Sequence, residues 1–194
     1  MGSDAKSKDA KEAVYARFKW PCVAFGVGVG AYSAMLPGSW TWFSWHPLIM
    51  SVVCFVIATL GTLLKKIGGL ENTRTHAKLL TGGTALLWFG FYVIYTNKEM
   101  ARKEHFLSWH AWIGLMSLFG WSASIPPLNA TIHPDFGKAK TNQSFRFMHR
   151  WTGRIILALS WLACFTGFQT MQPNLWMQVI VAVPLIVATP MVLV

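Results

Sequence analysis

Four of the six histidines in this 194-residue chain occupy matching places. His46, His76, His110 and His149 each stand at or just inside the start of a long apolar run. A titratable ring is costly among lipid-facing residues, so its repetition at such positions calls for a task. Successive membrane helices run antiparallel, and their starts therefore alternate between the two faces. His46 and His110 then lie near one face, His76 and His149 near the other. Two imidazoles from facing helices, set in apolar walls, can each give one ring nitrogen to a single iron, as in a low-spin b-type haem. Zinc fits less well. It would want clustered Cys or carboxylate companions, and the apolar runs contain no Asp or Glu.

Small residues add to the haem reading. Gly114 follows His110 by four, and Gly153 follows His149 by four, so each shares its histidine's helix face. A flat macrocycle can approach the backbone there. Gly82 and Gly83 open the next turns after His76, whereas the position four after His46 is Met50.

The elements that must position these rings are legible as hydropathy. The chain is 54% apolar and 12% charged, about half the charge usual for a soluble domain. Apolar runs at 20–38, 46–64, 77–96, 107–125, 150–171 and 174–194 are long enough to cross about 30 Å of hydrocarbon as helix. The expectation is an all-α, six-transmembrane-helix bundle occupying 20–194, preceded by a polar cytosolic tail at 1–19. Pro184 and Pro190 are expected to kink or terminate the last span. Cys22, Cys54 and Cys164 fall inside spans without metal-ligand spacing and read as buried free thiols.

The net charge of +10 does not indicate nucleic acid, because the basic residues sit in loops beside spans, where they set topology and meet lipid headgroups. If the tail and the 65–76 and 126–149 loops share one side, that side carries fourteen of the seventeen Lys and Arg residues. The other side has only Lys98, Arg102 and Lys103. Positive charge marks the cytoplasmic face, so the N-terminus is placed there and the protein is read as a multi-pass membrane protein. The tail lacks a secretory signal's apolar core, and Lys6 breaks the myristoylation pattern. Sequons at Asn129 and Asn142 fall on the cytosolic side and should stay bare.

Several stretches resemble the eukaryotic cytochrome b561 family. FSWHPLIMS at 43–51 is similar to its second-helix segment, and SWHAWIG at 108–114 to its fourth. RTHAKLLTGG at 74–83 and RFMHRWTG at 146–153 fit the third and fifth, and NKEMARKEHFLSWHAWIG at 97–114 is nearest the compact, domain-containing branch. The resemblance implies two b haems in the central four helices, one on His46 and His110 and one on His76 and His149. It also implies a reductase passing electrons from cytosolic ascorbate, or another small anionic reductant, to monodehydroascorbate or a ferric chelate. One departure stands out. Where ascorbate-using members often carry an ALLVYR-like motif, this chain reads GTLLKKIGG at 61–69, keeping the basic character but not the motif.

The remaining basic residues divide by face. Arg74, Lys78, Arg146 and Arg150 flank the cytosolic histidines, where they suit headgroups and topology, or haem propionates and an anionic donor. Arg146 precedes His149 by three and Arg154 follows it by five, so both are candidates for the haem edge. On the opposite side His105, with Lys103 and Arg102, is read either as part of an acceptor site or as a solvated loop histidine. His133 is taken as structural or exposed. Trp88, Phe89, Phe91, Trp161, Phe165 and Phe168 lie between the haem levels by position and are read as packing. The rival to a reductase is a haem-bearing accessory subunit of a larger membrane complex. A third reading, a quinone-linked cytochrome b anchor, suits four-helix proteins better. A homodimer or membrane-complex partner is left open, and the bilayer is the one certain surrounding.

Overall fold

A computed structural model describes residues 2–193, with side chains from Lys6 onward. The described residues form six long helices and no strand: α1 (Gly2–Met35), α2 (Trp42–Ile67), α3 (Leu70–Met100), α4 (Trp109–Ile132), α5 (Gln143–Met171) and α6 (Leu175–Leu193). Helices α2, α3, α5 and α6 are long and apolar enough to cross a membrane. The other two reach the length but not the hydropathy. In α1 the apolar stretch is diluted by Gly26, Gly28, Gly30 and Tyr32, and in α4 by tryptophans, glycines and a Pro pair. Yet α4 contains no Asp, Glu, Lys or Arg. Large apolar side chains such as Tyr92, Trp112, Phe119 and Ile186 remain more than half exposed on the outer surface, a degree of apolar exposure that suits lipid rather than water.

Helices α2, α3, α4 and α5 close a ring in which each packs on the next and α5 returns to α2. The α2–α3 contact is the most extensive of these, followed by α4–α5. α1 lies outside against α2, while α6 rests on α5 and the second half of α2. The core sits at mid-depth between α2, α4 and α5, around Val53, Leu118, Trp121, Leu157 and Trp161.

The helices overrun the apolar stretches. The tail at 1–19 was read only as polar, but from Gly2 it continues as the first half of α1, with the i,i+4 pair Lys8–Glu12 along it. α3 and α5 begin about two turns before the hydrocarbon run. His76 and His149 are consequently each the seventh residue of their helix, whereas His110 is the second residue of α4. The polar flanks keep helical hydrogen bonds that headgroups and water do not disrupt. Pro184 and Pro190 do not terminate α6, which continues to Leu193.

Local chemistry fixes the joints. Gly68 (φ +85°) and Gly69 (φ +90°) make the tight α2–α3 turn in a region that other residues avoid. Ser108 caps α4 by accepting from Ala111 N–H at 3.2 Å. Asn142 caps α5 by accepting from the N–H groups of Ser144 and Phe145 at 2.9 and 3.2 Å. Within α2, residues Val52–Ile57 adopt a π turn, a departure that frees and reorients carbonyls. Two of these find partners on neighbouring helices. Trp161 Nε1–H donates to Cys54 O at 3.1 Å and the Cys22 thiol to Phe55 O at 3.1 Å.

Candidate functional site

The ring closure brings the histidines together in twos. His46 of α2 and His110 of α4 have ring centroids 6.3 Å apart at 80°. His76 of α3 and His149 of α5 stand 6.1 Å apart at 78°. Along α2, fifteen residues separate His46 from Gly61, whose carbonyl touches His76, so the two pairs lie about 22 Å apart in depth.

Each ring is oriented from behind by a backbone carbonyl on a neighbouring helix, with one exception. His46 Nδ1 lies 2.9 Å from Gly90 O, His76 Nδ1 2.9 Å from Gly61 O, and His110 Nδ1 2.8 Å from Ala163 O. A helical carbonyl already accepts from the amide four residues on, but its second lone pair can take an imidazole N–H. A very small residue leaves that carbonyl readily approachable from another helix, and all three acceptors are Gly or Ala. The hydrogen bond fixes the tautomer, leaving each Nε2 lone pair for a metal. His149 is the exception: its Nδ1 is buried with no hydrogen-bond partner among the described residues.

The donor set fits a haem. An iron midway, with metal–nitrogen bonds of about 2 Å and about 1.1 Å from nitrogen to ring centre, calls for centroids roughly 6.2 Å apart. No group of three His, Cys, Asp or Glu residues forms among the described residues. Two axial imidazoles therefore suit a metal whose other ligands come from a macrocycle. Space for the macrocycle is present too. A β-carbon on Gly114 or Gly153 would meet nothing within 4 Å, and Gly114 borders a cavity of about 390 Å³ that also includes His46 and His110. Gly82 is likewise open, whereas Gly83 is not: its face is filled by Trp121, Val53 and Ile57. Gly167 closes the back of the His46–His110 pair, lying against the His110 ring.

The basic candidates separate. Arg74 is engaged on both sides. Its guanidinium grips Asp135 through Nε at 2.9 Å and Nη2 at 2.7 Å, and it also bonds Glu71. Those bonds from Arg74 hold the Asp135 carboxyl below the usual carboxylate range. Arg146 Nε–H donates to Lys140 O at 2.8 Å, and Arg146 is close enough to Lys65 to act on it electrostatically. Lys78 and Arg150 are exposed. Arg154 places its guanidinium over the Trp151 ring at 5.2 Å and acts on Lys66.

Lys65 was not singled out from the sequence. It lies within electrostatic reach of both His76 and His149, with Nζ fixed by Thr73 Oγ1 at 2.7 Å. The available signal was its place in the basic stretch GTLLKKIGG at 61–69, just before the helix of His76. In the structure Lys65 is four residues after Gly61 and Thr73 three before His76, so each lies one turn from the contact that holds that ring.

On the opposite side, His105 stacks on Tyr95 at 4.3 Å and bonds Glu99 Oε1 at 2.7 Å. It borders the 390 Å³ cavity together with Lys98. Lys103 and Arg102 are exposed on the loop and do not border that cavity. Of the aromatic residues placed between the levels, Trp161 and Phe168 are buried, while Trp88 and Phe89 face outward.

The profile of the family described as eukaryotic cytochrome b561 matches residues 45–174, the segment containing all four paired histidines. A relative, the transmembrane reductase CYB561D2 of Bos taurus, is 30% identical over 106 residues, covering 50% of this chain and 46% of that protein. The chain thus matches about half the length of this curated relative.

Proposed function

The chain belongs to the eukaryotic cytochrome b561 family, and from that premise we propose a two-haem transmembrane reductase that takes electrons from cytosolic ascorbate and delivers them to monodehydroascorbate or a ferric chelate. The observation that carries this reading is the double pairing of imidazoles, 6.3 Å and 6.1 Å apart, near opposite ends of one four-helix ring. A b haem held in each pair would supply one-electron chemistry. His46 and His110 hold the non-cytosolic group, His76 and His149 the cytosolic one. Gly90, Gly61 and Ala163 keep three of the rings in the ligating tautomer.

At the cytosolic end Lys65, Lys78 and Arg146 supply the positive field that draws an anionic donor toward His76 and His149. Lys65 is held by Thr73 and Arg146 by Lys140, so neither cation must be ordered when the donor arrives. At the other end Lys98 and His105 border the cavity reached by the acceptor, with Glu99 and Tyr95 orienting the imidazole of His105. Between the two, apolar packing around Val53, Trp121 and Trp161 keeps water from the path.

The test is transfer across a sealed membrane. Vesicles loaded with ascorbate and carrying the purified chain should reduce an external ferric chelate, and vesicles without it should not. An accessory subunit would bind two haems yet stay inert in this assay until a partner complex was added.

A further inference from the structure

We propose that Arg74 and Asp135 form a latch that positions the donor site, so that Arg74 acts on the cytosolic donor through the loop it holds rather than by touching the donor. The proposal rests on the reading of the His76–His149 end as the entry point for ascorbate.

The loop between α4 and α5 is folded back on the last turn of α4. Lys138 N–H donates to Ala130 O at 3.3 Å and Ala139 N–H to Thr131 O at 2.8 Å. His133 stacks on Phe136 at 4.0 Å, and Asp135 N–H donates to His133 Nδ1 at 3.3 Å. This compact knot belongs to one side of the bundle. Arg74 ties it to α3 through two hydrogen bonds of 2.7 and 2.9 Å to the two carboxylate oxygens of Asp135, while Asn129 Nδ2–H, in the last turn of α4, donates to Thr81 Oγ1 of α3 at 2.7 Å. Glu71, one turn earlier on α3, holds the same guanidinium from the other side. A planar fork on a carboxylate fixes angle as well as distance.

The far end of the knot reaches the proposed donor site. Lys140 O accepts from Arg146 Nε–H at 2.8 Å. Arg146 stands on α5 three residues before His149, within electrostatic range of Lys65. The Nζ of Lys65 is held at 2.7 Å by Thr73 Oγ1, three residues before His76. Asp135, Lys140 and Arg146 therefore form a continuous path from the Arg74 fork to the donor-facing charge. With both carboxylates on it, the Arg74 guanidinium has its charge compensated where it stands. Among the described residues the hydrogen-bond partner of Arg146 is a carbonyl, that of Lys140, rather than a carboxylate.

The two roles for Arg74 predict opposite results. If Arg74 binds the donor directly, Asp135→Asn frees its guanidinium and should tighten donor binding. If it is a latch, Asp135→Asn loosens the loop and should weaken binding just as Arg74→Gln does. The experiment uses the full haem-loaded chain in detergent, with stopped-flow reduction by ascorbate over a range of concentrations. Each single substitution is expected to raise the half-saturating ascorbate concentration roughly three- to fivefold, the scale of a half-exposed ion pair, with a limiting rate within about twofold. The double variant should be no worse than either single one, and Asp135→Glu should recover most of the loss. Haem content and the dithionite-reduced spectrum should match the parent. The latch is overturned if Asp135→Asn leaves half-saturation unchanged or lowers it, if the two losses multiply in the double variant, or if Asp135→Asn sheds haem. Failure of the unsubstituted chain to take electrons from ascorbate would instead overturn the donor reading itself, and the latch with it.

Discussion

Replacing Gly167 by Ala places one methyl group against the back of the His110 ring, and the structure sets how much that should cost. A β-carbon there would stand 2.7 Å from Cε1 and 2.9 Å from Nδ1 of His110. Carbon–carbon contacts settle near 3.5 Å, so the ring or α5 must give way by roughly 0.8 Å. The ring's Nδ1 is held 2.8 Å from Ala163 O, on the same helix as the intruding methyl, so a shift of that size spends most of the hydrogen bond's tolerance. Losing that bond costs about 1 kcal/mol, and forcing the imidazole off its rotamer costs about another 1 kcal/mol. Metal ligation tolerates only about 0.2 Å, which brings the total to about 2–3 kcal/mol. That corresponds to a roughly 30- to 150-fold weaker hold on a haem bound by His46 and His110. Haem counted per purified polypeptide should fall toward one, with the His76–His149 component intact. Gly28→Ala, where a β-carbon meets nothing within 4 Å, serves as the control. Full retention of two spectrally unchanged haems in Gly167→Ala would refute the reasoning.

Gly114→Ala and Gly153→Ala introduce methyl groups that meet no protein atom within 4 Å. Each should leave the helix as stable as before but reduce occupancy of its own haem, a loss that only an occupant of that space can cause. Arg146→Gln or Lys78→Gln should slow reduction by ascorbate even at high salt while dithionite still reduces both haems. Neutralising the exposed Lys138 and Lys140 should mainly flatten the salt dependence, because long-range attraction fades once the Debye length falls to about 10 Å. Asp135 has a carboxyl pKa lowered by the bonds from Arg74, beneath the unfolded value of about 3.9. Its contribution to holding the 133–142 loop is therefore full above about pH 4 and drains as pH falls through the lowered value. Protection of that loop's amides relative to their intrinsic exchange rate should fall over this range in the parent chain and show no such fall in Asp135→Asn.

Much of this arrangement is legible in the sequence. Antiparallel alternation was enough to sort His46 with His110 and His76 with His149, because face is a property of helix order alone. The family resemblance carried by the stretches at 43–51 and 97–114 is borne out by the profile match over 45–174. Helix ends were less visible. Hydropathy reports where hydrocarbon stops, whereas α3 and α5 continue about two turns further as polar helix, which moved His76 and His149 inward from the helix start. The acceptors behind the rings were missed for a similar reason. Gly61, Gly90 and Ala163 offer only backbone, and a carbonyl has no signature in sequence beyond the smallness of its residue. Arg74 looked like one more cation near a cytosolic histidine. Its engagement by Asp135 depends on a contact spanning 61 positions, which no local pattern encodes. The π turn at Val52–Ile57 was equally hidden, since its carbonyl partners, Trp161 and Cys22, come from two other helices.

The central claim is that these four histidines form two iron-ligating pairs, and the most direct measurement is a redox-difference spectrum with haem counted for each of four single alanine variants. The unsubstituted chain should carry two b haems. His46→Ala and His110→Ala should abolish the same spectral component, and His76→Ala and His149→Ala should both abolish the other. Loss of one component by both His46→Ala and His76→Ala, or a single haem in the parent chain, would contradict the account.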